Sequence, residues 1–264
     1  LALLFIVCFV ITSCASQLNT DMTVTKEPAV AELSESAKLN AWFDEKYEAQ
    51  LMSSPLGLTF QGRKDRYAEI DDMSEAAQLE QLKRKGESVK EMKTTFKYSE
   101  LTDDAKLSYD LWEHQYESML AGKPFMRRGY VFHQMNGTHS FFPTLMMNYH
   151  KVTTEQDMQD YVSRLSAIGV AMNELTGQAK LAAEEGVRPP RFAYETVIKE
   201  SQSIISGVPF DDSDKDSTLW ADATAKTATL VEAGTITQQQ GDVMLDAARA
   251  ALVNHFAPGY QNLI

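Results

Sequence analysis

The chain has 264 residues, of which 44% are hydrophobic and 23% are charged, and its formal net charge at pH 7 is -12. This length and composition indicate one large or two ordinary globular domains. Nucleic acids and anionic membrane surfaces bind proteins through basic patches, so the negative charge argues against both as main partners. Because both cysteines, Cys8 and Cys14, lie near the start, the rest of the chain has no disulfide, no thiolate zinc site and no cysteine nucleophile.

The first predicted elements are a leader and a tether. Residues 1–11 form an uninterrupted apolar run, which is too short to span a bilayer but fits the core of a signal peptide. The Ile-Thr-Ser-Cys sequence at 11–14 resembles a bacterial lipobox, which implies cleavage before Cys14 and lipid on its thiol; the alternative is an ordinary signal peptide with a chance cysteine. We therefore predict a lipoprotein signal peptide over 1–14, with Cys14 lipidated, and a flexible tether over 15–33.

From residue 34 onward, apolar residues recur every three or four positions, which predicts a mainly α, multi-helix domain over 34–264. The predicted helices span 34–53, 71–93, 102–122, 154–186, 194–206, 217–234 and 237–254. Thr154 and Asp157 are predicted to form a capping box, and Gly186 to end the longest helix. Residues 54–67, rich in glycine and charge, are predicted to form a turn and a solvated loop.

One stretch, residues 129–150, does not follow the helical pattern. It is dense in aromatic residues and holds His133, His139 and His150. Because a glycine and a proline interrupt it, the pattern predicts one short β or extended segment around 130–150, in one or two pieces joined by turns. Such segments between helices often line a ligand cleft. The alternative is a buried aromatic connector whose histidines find hydrogen-bond partners in the core.

The chain contains no motif of a complete catalytic site. None of its five histidines begins a His-Glu-x-x-His zinc motif, and Gly-x-Ser-x-Gly, P-loop and Gly-x-Gly-x-x-Gly sequences are absent. On an extended segment His133 and His139 would lie about 20 Å apart, too far for one metal ion unless a turn at Gly137 brings them together. We therefore assign no catalytic residue and no metal ligand within this chain.

An ordered set of residues runs through most of positions 40–205. It comprises Ser54-Pro55, Thr59, Gly62, Tyr67, Asp71, Ser74, Leu107, Tyr109-Asp110, Gln134-Met135-x-Gly137-x-His139, Pro143, Tyr161, Arg164-Leu165, Gly186 and Pro190-Arg191-Phe192. In order and spacing this set resembles the bacterial family catalogued as domain of unknown function 885 (DUF885), whose members are often lipoproteins. The run from Gln134 to His139 is its most specific piece.

The resemblance implies a fold and an activity. The family looks like mostly helical zinc metallopeptidases of the His-Glu-x-x-His, gluzincin type, with the zinc helix in the C-terminal half. In that chemistry a metal-activated water attacks and a Glu is the base. Since this chain lacks such a helix, the resemblance implies the N-terminal, substrate-side portion of a larger fold. Zinc is then expected in the full-length protein and not in this chain, which alone is expected to be inactive.

The resemblance also suggests where a substrate binds. In such folds an edge strand beside the zinc helix commonly holds the substrate backbone. If residues 129–150 play that part, Gln134, Asn136 and His139 are the candidates for contacts with a peptide substrate. The expected location is the cell envelope, with lipid anchoring in an outer membrane, facing the periplasm. The alternative function is a non-catalytic, lipid-anchored helical module that binds a partner or a peptide.

Overall fold

A computed structural model describes residues 33–135 and 137–264 of the chain. The predicted signal peptide, Cys14 and residues 15–32 of the predicted tether lie outside the described residues. The α-helices are α1 (Glu35–Met52), α2 (Pro55–Phe60), α3 (Glu75–Thr95), α4 (Asp103–Gly122), α5 (Thr138–Thr144), α6 (Glu155–Glu184), α7 (Arg191–Ile204), α8 (Thr218–Glu232), α9 (Gln238–Ala251) and α10 (Ala257–Leu263). The mainly α fold is therefore confirmed.

The remaining regular structure is short. Segments of 3-10 helix lie at Tyr98–Glu100 and Lys123–Arg128, and π-helical segments lie at Leu145–Tyr149 and Leu252–Phe256. Within the described ranges, the only β-pairing is a single bridge between Val208 and Asp216. Of the helices in those ranges, none combines the length and the apolar character needed to cross a membrane.

Helix α6 lies at the centre of the larger core. The predicted capping box begins it, since Thr154 Oγ1 accepts a hydrogen bond from the Asp157 amide and the Asp157 carboxylate accepts one from the Thr154 amide. The buried face of α6 packs against α9, α10 and the π-helical segment at Leu252–Phe256. Past its end, Gly186 adopts φ +83°, a left-handed conformation that glycine tolerates best.

Helices α1, α3 and α4 enclose a second, smaller core. Its buried members are Leu39, Trp42, Met92, Phe96, Leu101, Ala105 and Tyr109. Trp42 packs edge-on against Phe96 and Trp112, with ring centroids 5.8 and 5.6 Å apart. Residues 34–264 form one compact unit, so both cores belong to the same body.

The predicted extended segment around 130–150 is wrong for much of its length. Residues Thr138–Thr144 form α5, and Leu145–Tyr149 continue it as a π-helical turn. Helical winding places Phe142 and Met146, four positions apart, in the core, where both are fully buried. Burying these apolar side chains stabilises the helical conformation by more than the proline in this segment destabilises it.

Pro143 is accommodated inside α5 because another donor replaces the backbone N–H that proline lacks. In a regular helix that N–H would bond the carbonyl of His139, four residues earlier. Here the His139 carbonyl instead accepts a hydrogen bond from the hydroxyl of Tyr260, at 2.6 Å. The contact joins α5 to α10 and leaves no buried carbonyl unpaired at the proline.

Helices α6 and α10 approach so closely that glycine is required where they cross. A Cβ atom on Gly169 would overlap the carbonyl oxygen of His255, and a Cβ on Gly259 would lie 2.6 Å from the carbonyl oxygen of Gly169. We expect Gly169→Ala to push the helices apart and to lower the free energy of unfolding by about 1–3 kcal/mol, as measured by urea denaturation.

Gly177→Ala is the matched control, because Gly177 is exposed on the same helix and a Cβ there would meet nothing within 4 Å. Alanine favours a helix over glycine by about 1 kcal/mol, so this variant should be at least as stable as the parent. Equal destabilisation by the two substitutions would contradict the close crossing.

Candidate functional site

Of the three residues predicted to contact a substrate, the structure describes two, and these two lie in different environments. Gln134 lies half-buried in a turn before α5, beside Met135, which is 68% exposed. Asn136 lies outside the described residues. His139 is fully buried in the first half of α5. Only the turn around Gln134 is therefore open to solvent, and His139 lies within the core.

His139 is held by a carboxylate from another helix. Its Nε2 lies 2.8 Å from Oε2 of Glu200 on α7, and the Glu200 side chain is 42% exposed. Since a carboxylate accepts, Nε2 carries the ring proton and Nδ1 carries the lone pair. Nδ1 is buried and has no hydrogen-bond partner among the residues that the structure describes. A carboxylate-oriented imidazole with a free lone pair is chemically able to accept a proton or to ligate a metal.

Gly137 closes this imidazole from one side. A Cβ atom on Gly137 would lie 2.7 Å from Nδ1 of His139 and 2.5 Å from the carbonyl oxygen of His133. Any side chain at 137 would therefore displace the ring or the turn. This close approach gives a physical reason for the Gly-x-His spacing, because only glycine lets the turn lie on the imidazole.

A second group of polar side chains surrounds Arg164, which is fully buried on α6. Its guanidinium donates to the carbonyl of Glu69 at 2.9 Å, to Thr59 Oγ1 at 2.6 Å and to His150 Nδ1 at 3.1 Å. It also lies 4.5 Å from the centre of the Tyr67 ring, a cation–π contact. Burial lowers the pKa of Arg164 to about 10, so the group remains charged at neutral pH.

His150 is neutral in this arrangement. Its Nε2 donates to the carbonyl of Asp157 at 2.9 Å, while Nδ1 accepts from Arg164. Burial lowers the pKa of His150 to about 3, since a second charge beside the guanidinium would lack water. Both ring nitrogens are engaged, so His150 has no lone pair left for a ligand. Here the sequence-based alternative of a satisfied core histidine is confirmed.

The π-helical turn after α5 exposes carbonyls that a lysine binds. Lys226 Nζ on α8 donates to the carbonyls of Met146, at 2.9 Å, and Met147, at 3.4 Å. It also pairs with Asp222 at 2.7 Å, and Asp222 accepts the hydroxyl of Tyr161 at 2.9 Å. Burial lowers the pKa of Lys226, and the Asp222 carboxylate opposes that shift. Together these contacts fix the end of the segment onto α6 and α8.

An apolar cavity of about 270 Å³ lies beside the segment. Residues 129–132 form one wall, and α6, α7 and the end of α10 form the others. Phe132 lines the cavity and also packs edge-on against the His139 ring, with centroids 6.2 Å apart. The cavity is large enough for one apolar side chain of a ligand.

The donor set of this site does not match the needs of zinc. Structural and catalytic zinc sites take three or four His, Cys, Asp or Glu ligands. In the part of the chain that the structure describes, no group of three such residues is placed to hold a metal ion. Nδ1 of His133 is engaged by the amide of Met135 at 3.2 Å. These residues therefore do not fit zinc.

Reasoning from the sequence missed most of the residues that hold this site. The sequence did mark Arg164 as unusual, because it places a charged residue on the apolar stripe of α6 between Tyr161 and Leu165. Glu200 and Tyr260 carried none, since each lies more than fifty residues from His139 along the chain. Contacts of that kind depend on the tertiary packing of α7 and α10.

Comparisons with known proteins identify the family. Residues 55–264 match the sequence model of a family described as bacterial proteins of unknown function, DUF885. No curated protein matches the chain. The fold is similar to a crystal structure from Colwellia psychrerythraea, described as a lipoprotein, with a TM-score of 0.69 and 16% sequence identity over 88% of this chain. The similar region is 40% of that protein, so this chain spans well under half of its length. Because the family model matches most of its residues, the chain belongs to the DUF885 family.

Proposed function

We propose that this chain is the N-terminal, substrate-side portion of a lipid-anchored, cell-envelope hydrolase of the zinc metallopeptidase type. The family assignment and the similarity in fold to a larger protein described as a lipoprotein support this proposal. Zinc and the catalytic residues would belong to the full-length protein outside these residues, and the substrate would be a peptide. The protein would be anchored in the outer membrane and face the periplasm.

The observation that carries the proposal is the apolar cavity against residues 129–132, next to the half-buried turn at Gln134. Peptide-binding sites commonly combine such a pocket for a side chain with a polar backbone-binding edge. His139 and Gly137 pack against the turn and fix its conformation. Little conformational entropy is then lost in ordering the turn when a peptide binds. Gln134 and Asn136 would contact the peptide backbone, and His139, which is fully buried, would position the turn from within the core.

The test uses the full-length protein and a mixture of casein-derived peptides. We expect zinc-dependent hydrolysis, and we expect Ala183→Trp, which fills the cavity, to raise KM at least about tenfold with little change in kcat. Ala250→Trp is the control, because Ala250 is exposed on α9. Binding of peptides without zinc or hydrolysis would instead establish the non-catalytic binding module.

The anchor is a separate prediction. Cys14 follows the apolar run in the lipobox-like sequence, so the mature protein is expected to begin at Cys14 and to partition into detergent. Several acyl chains give stable membrane attachment, whereas one chain gives only marginal binding. Mass spectrometry of the mature N-terminal peptide would measure the lipid. An unmodified N-terminus at Ala15, or Cys14→Ser protein that stays in the detergent phase, would contradict this prediction.

A further inference from the structure

A polar cleft lies between α1, α3 and α4. Its volume is about 560 Å³, within the range of small-molecule sites. Three cations line it, Lys46, Arg84 and Lys85, together with the carboxylates of Glu87 and Glu91 and the amides of Gln50 and Gln115. The protein as a whole has a net charge of -12, so a cleft with three cations against two carboxylates departs from the general surface.

Two of these cations have no carboxylate partner in the part of the chain that the structure describes. Lys46 pairs with Glu91 at 2.9 Å. Lys85 Nζ, by contrast, donates to the neutral Oε1 of Gln115 at 2.8 Å and lies 3.0 Å from the centre of the Trp112 ring. Among residues 33–135 and 137–264, no carboxylate forms an ion pair with Lys85 or Arg84. Glu87 also lines the cleft, but two cations without a carboxylate partner outnumber it, so among the described residues the cleft keeps a net positive charge.

Lys85 is costly to keep charged in this position. Its side chain is half-buried, and burial lowers its pKa from the ordinary value of 10.5 to about 8. The Trp112 ring and the Gln115 oxygen favour the ammonium, but neither carries a full negative charge. A bound anion would supply that charge and would return the pKa of Lys85 toward its ordinary value.

We propose that the cleft between α1, α3 and α4 binds a small ligand through an oxyanion group, with Lys85 and Arg84 as its cationic partners. The Arg84 guanidinium offers paired donors that suit a carboxylate or a phosphate, and Lys85 is a point charge beside it. Gln50 and Gln115 line the same space and would bind the polar remainder of the ligand. This site goes beyond the proposed peptidase function and does not depend on it.

Calorimetric titration of the full chain tests the proposal, with glutarate as the carboxylate probe and inorganic phosphate as the phosphate probe. Lys85 must be protonated to bind, so the affinity should fall about tenfold per pH unit above pH 8. Binding at pH 8 should take up protons, which is seen as a binding enthalpy that changes with the buffer. Binding of either probe with this pH dependence supports the proposal and identifies which oxyanion the cleft takes.

Variants separate a direct charge effect from a structural one. Lys85→Met should weaken binding at least about tenfold. Lys85→Arg should retain binding and lose the pH dependence near 8, because arginine stays charged. Lys90→Met is the control, since Lys90 is exposed on the same helix, and it should bind like the parent. Failure of both probes to bind, or binding that Lys85→Met leaves unchanged, would overturn the proposal.

Discussion

Arg164→Met is expected to lower the free energy of unfolding by about 3–5 kcal/mol. The substitution keeps a long side chain but removes every donor of a fully buried guanidinium. It would leave the Glu69 carbonyl and His150 Nδ1 without their partner, whereas Thr59 Oγ1 keeps its hydrogen bond to the Pro55 carbonyl at 3.0 Å. An unpaired buried acceptor costs about 1–3 kcal/mol, so two of them, with the lost cation–π contact to Tyr67, exceed what the gain in apolar contact returns.

Urea denaturation followed by circular dichroism measures this effect, because helices dominate the described structure. Arg191→Met is the matched control, since the Arg191 side chain is 94% exposed and its ion pair with Glu195 is on the surface. That control should change stability by less than about 0.5 kcal/mol. If the two variants are equally stable, Arg164 does not hold the fold together.

The sequence was sufficient for the helices that have both a cap and an apolar stripe. Helix α6 shows why, since Thr154 and Asp157 mark its start, Gly186 follows its end, and the stripe between them is buried. It was not sufficient for α5, where the proline indicated a break. His139, Phe142 and Met146 already had helical spacing, but the partner that makes Pro143 tolerable, Tyr260, lies on α10.

The site was less predictable than the fold for the same reason. The sequence singled out residues 129–150 and His139, and the structure places there a buried imidazole, one nitrogen of which has no partner in the described ranges. Its partner Glu200 comes from α7, and the charge that holds His150 comes from Arg164 on α6. Periodicity reports which face of a helix is buried, and it does not report which helix lies against it.

The protein is expected to lose stability on acidification because of His150. In the unfolded chain a histidine takes up a proton near pH 6.5, whereas burial lowers the pKa of His150 in the folded protein to about 3. Between these values the unfolded state holds more protons, so stability is greatest above pH 6.5 and falls as the pH decreases toward 3. A shift of this size corresponds to about 3–5 kcal/mol.

A carboxylate contributes in a lower pH range. Burial disfavours the charge of Asp157, yet hydrogen bonds from Lys64, Thr153 and Thr154 outweigh that cost and lower its pKa to about 2, from an ordinary 3.8. Its contribution is therefore complete above pH 4 and is lost only below that value. Between pH 6.5 and 4 Asp157 therefore causes little loss of stability. The contributions of His150 and Asp157 can be separated because they change in different pH ranges.

His150→Gln tests the assignment, because glutamine keeps a donor for the Asp157 carbonyl but does not titrate. The variant should be less stable than the parent at pH 7.5, since the contact with Arg164 is changed, and its stability should decline less steeply from pH 6.5 to 4. His114→Gln, at an exposed position on α4, should reproduce the parent curve. A His150→Gln curve with the parent's slope would show that another group takes up the proton.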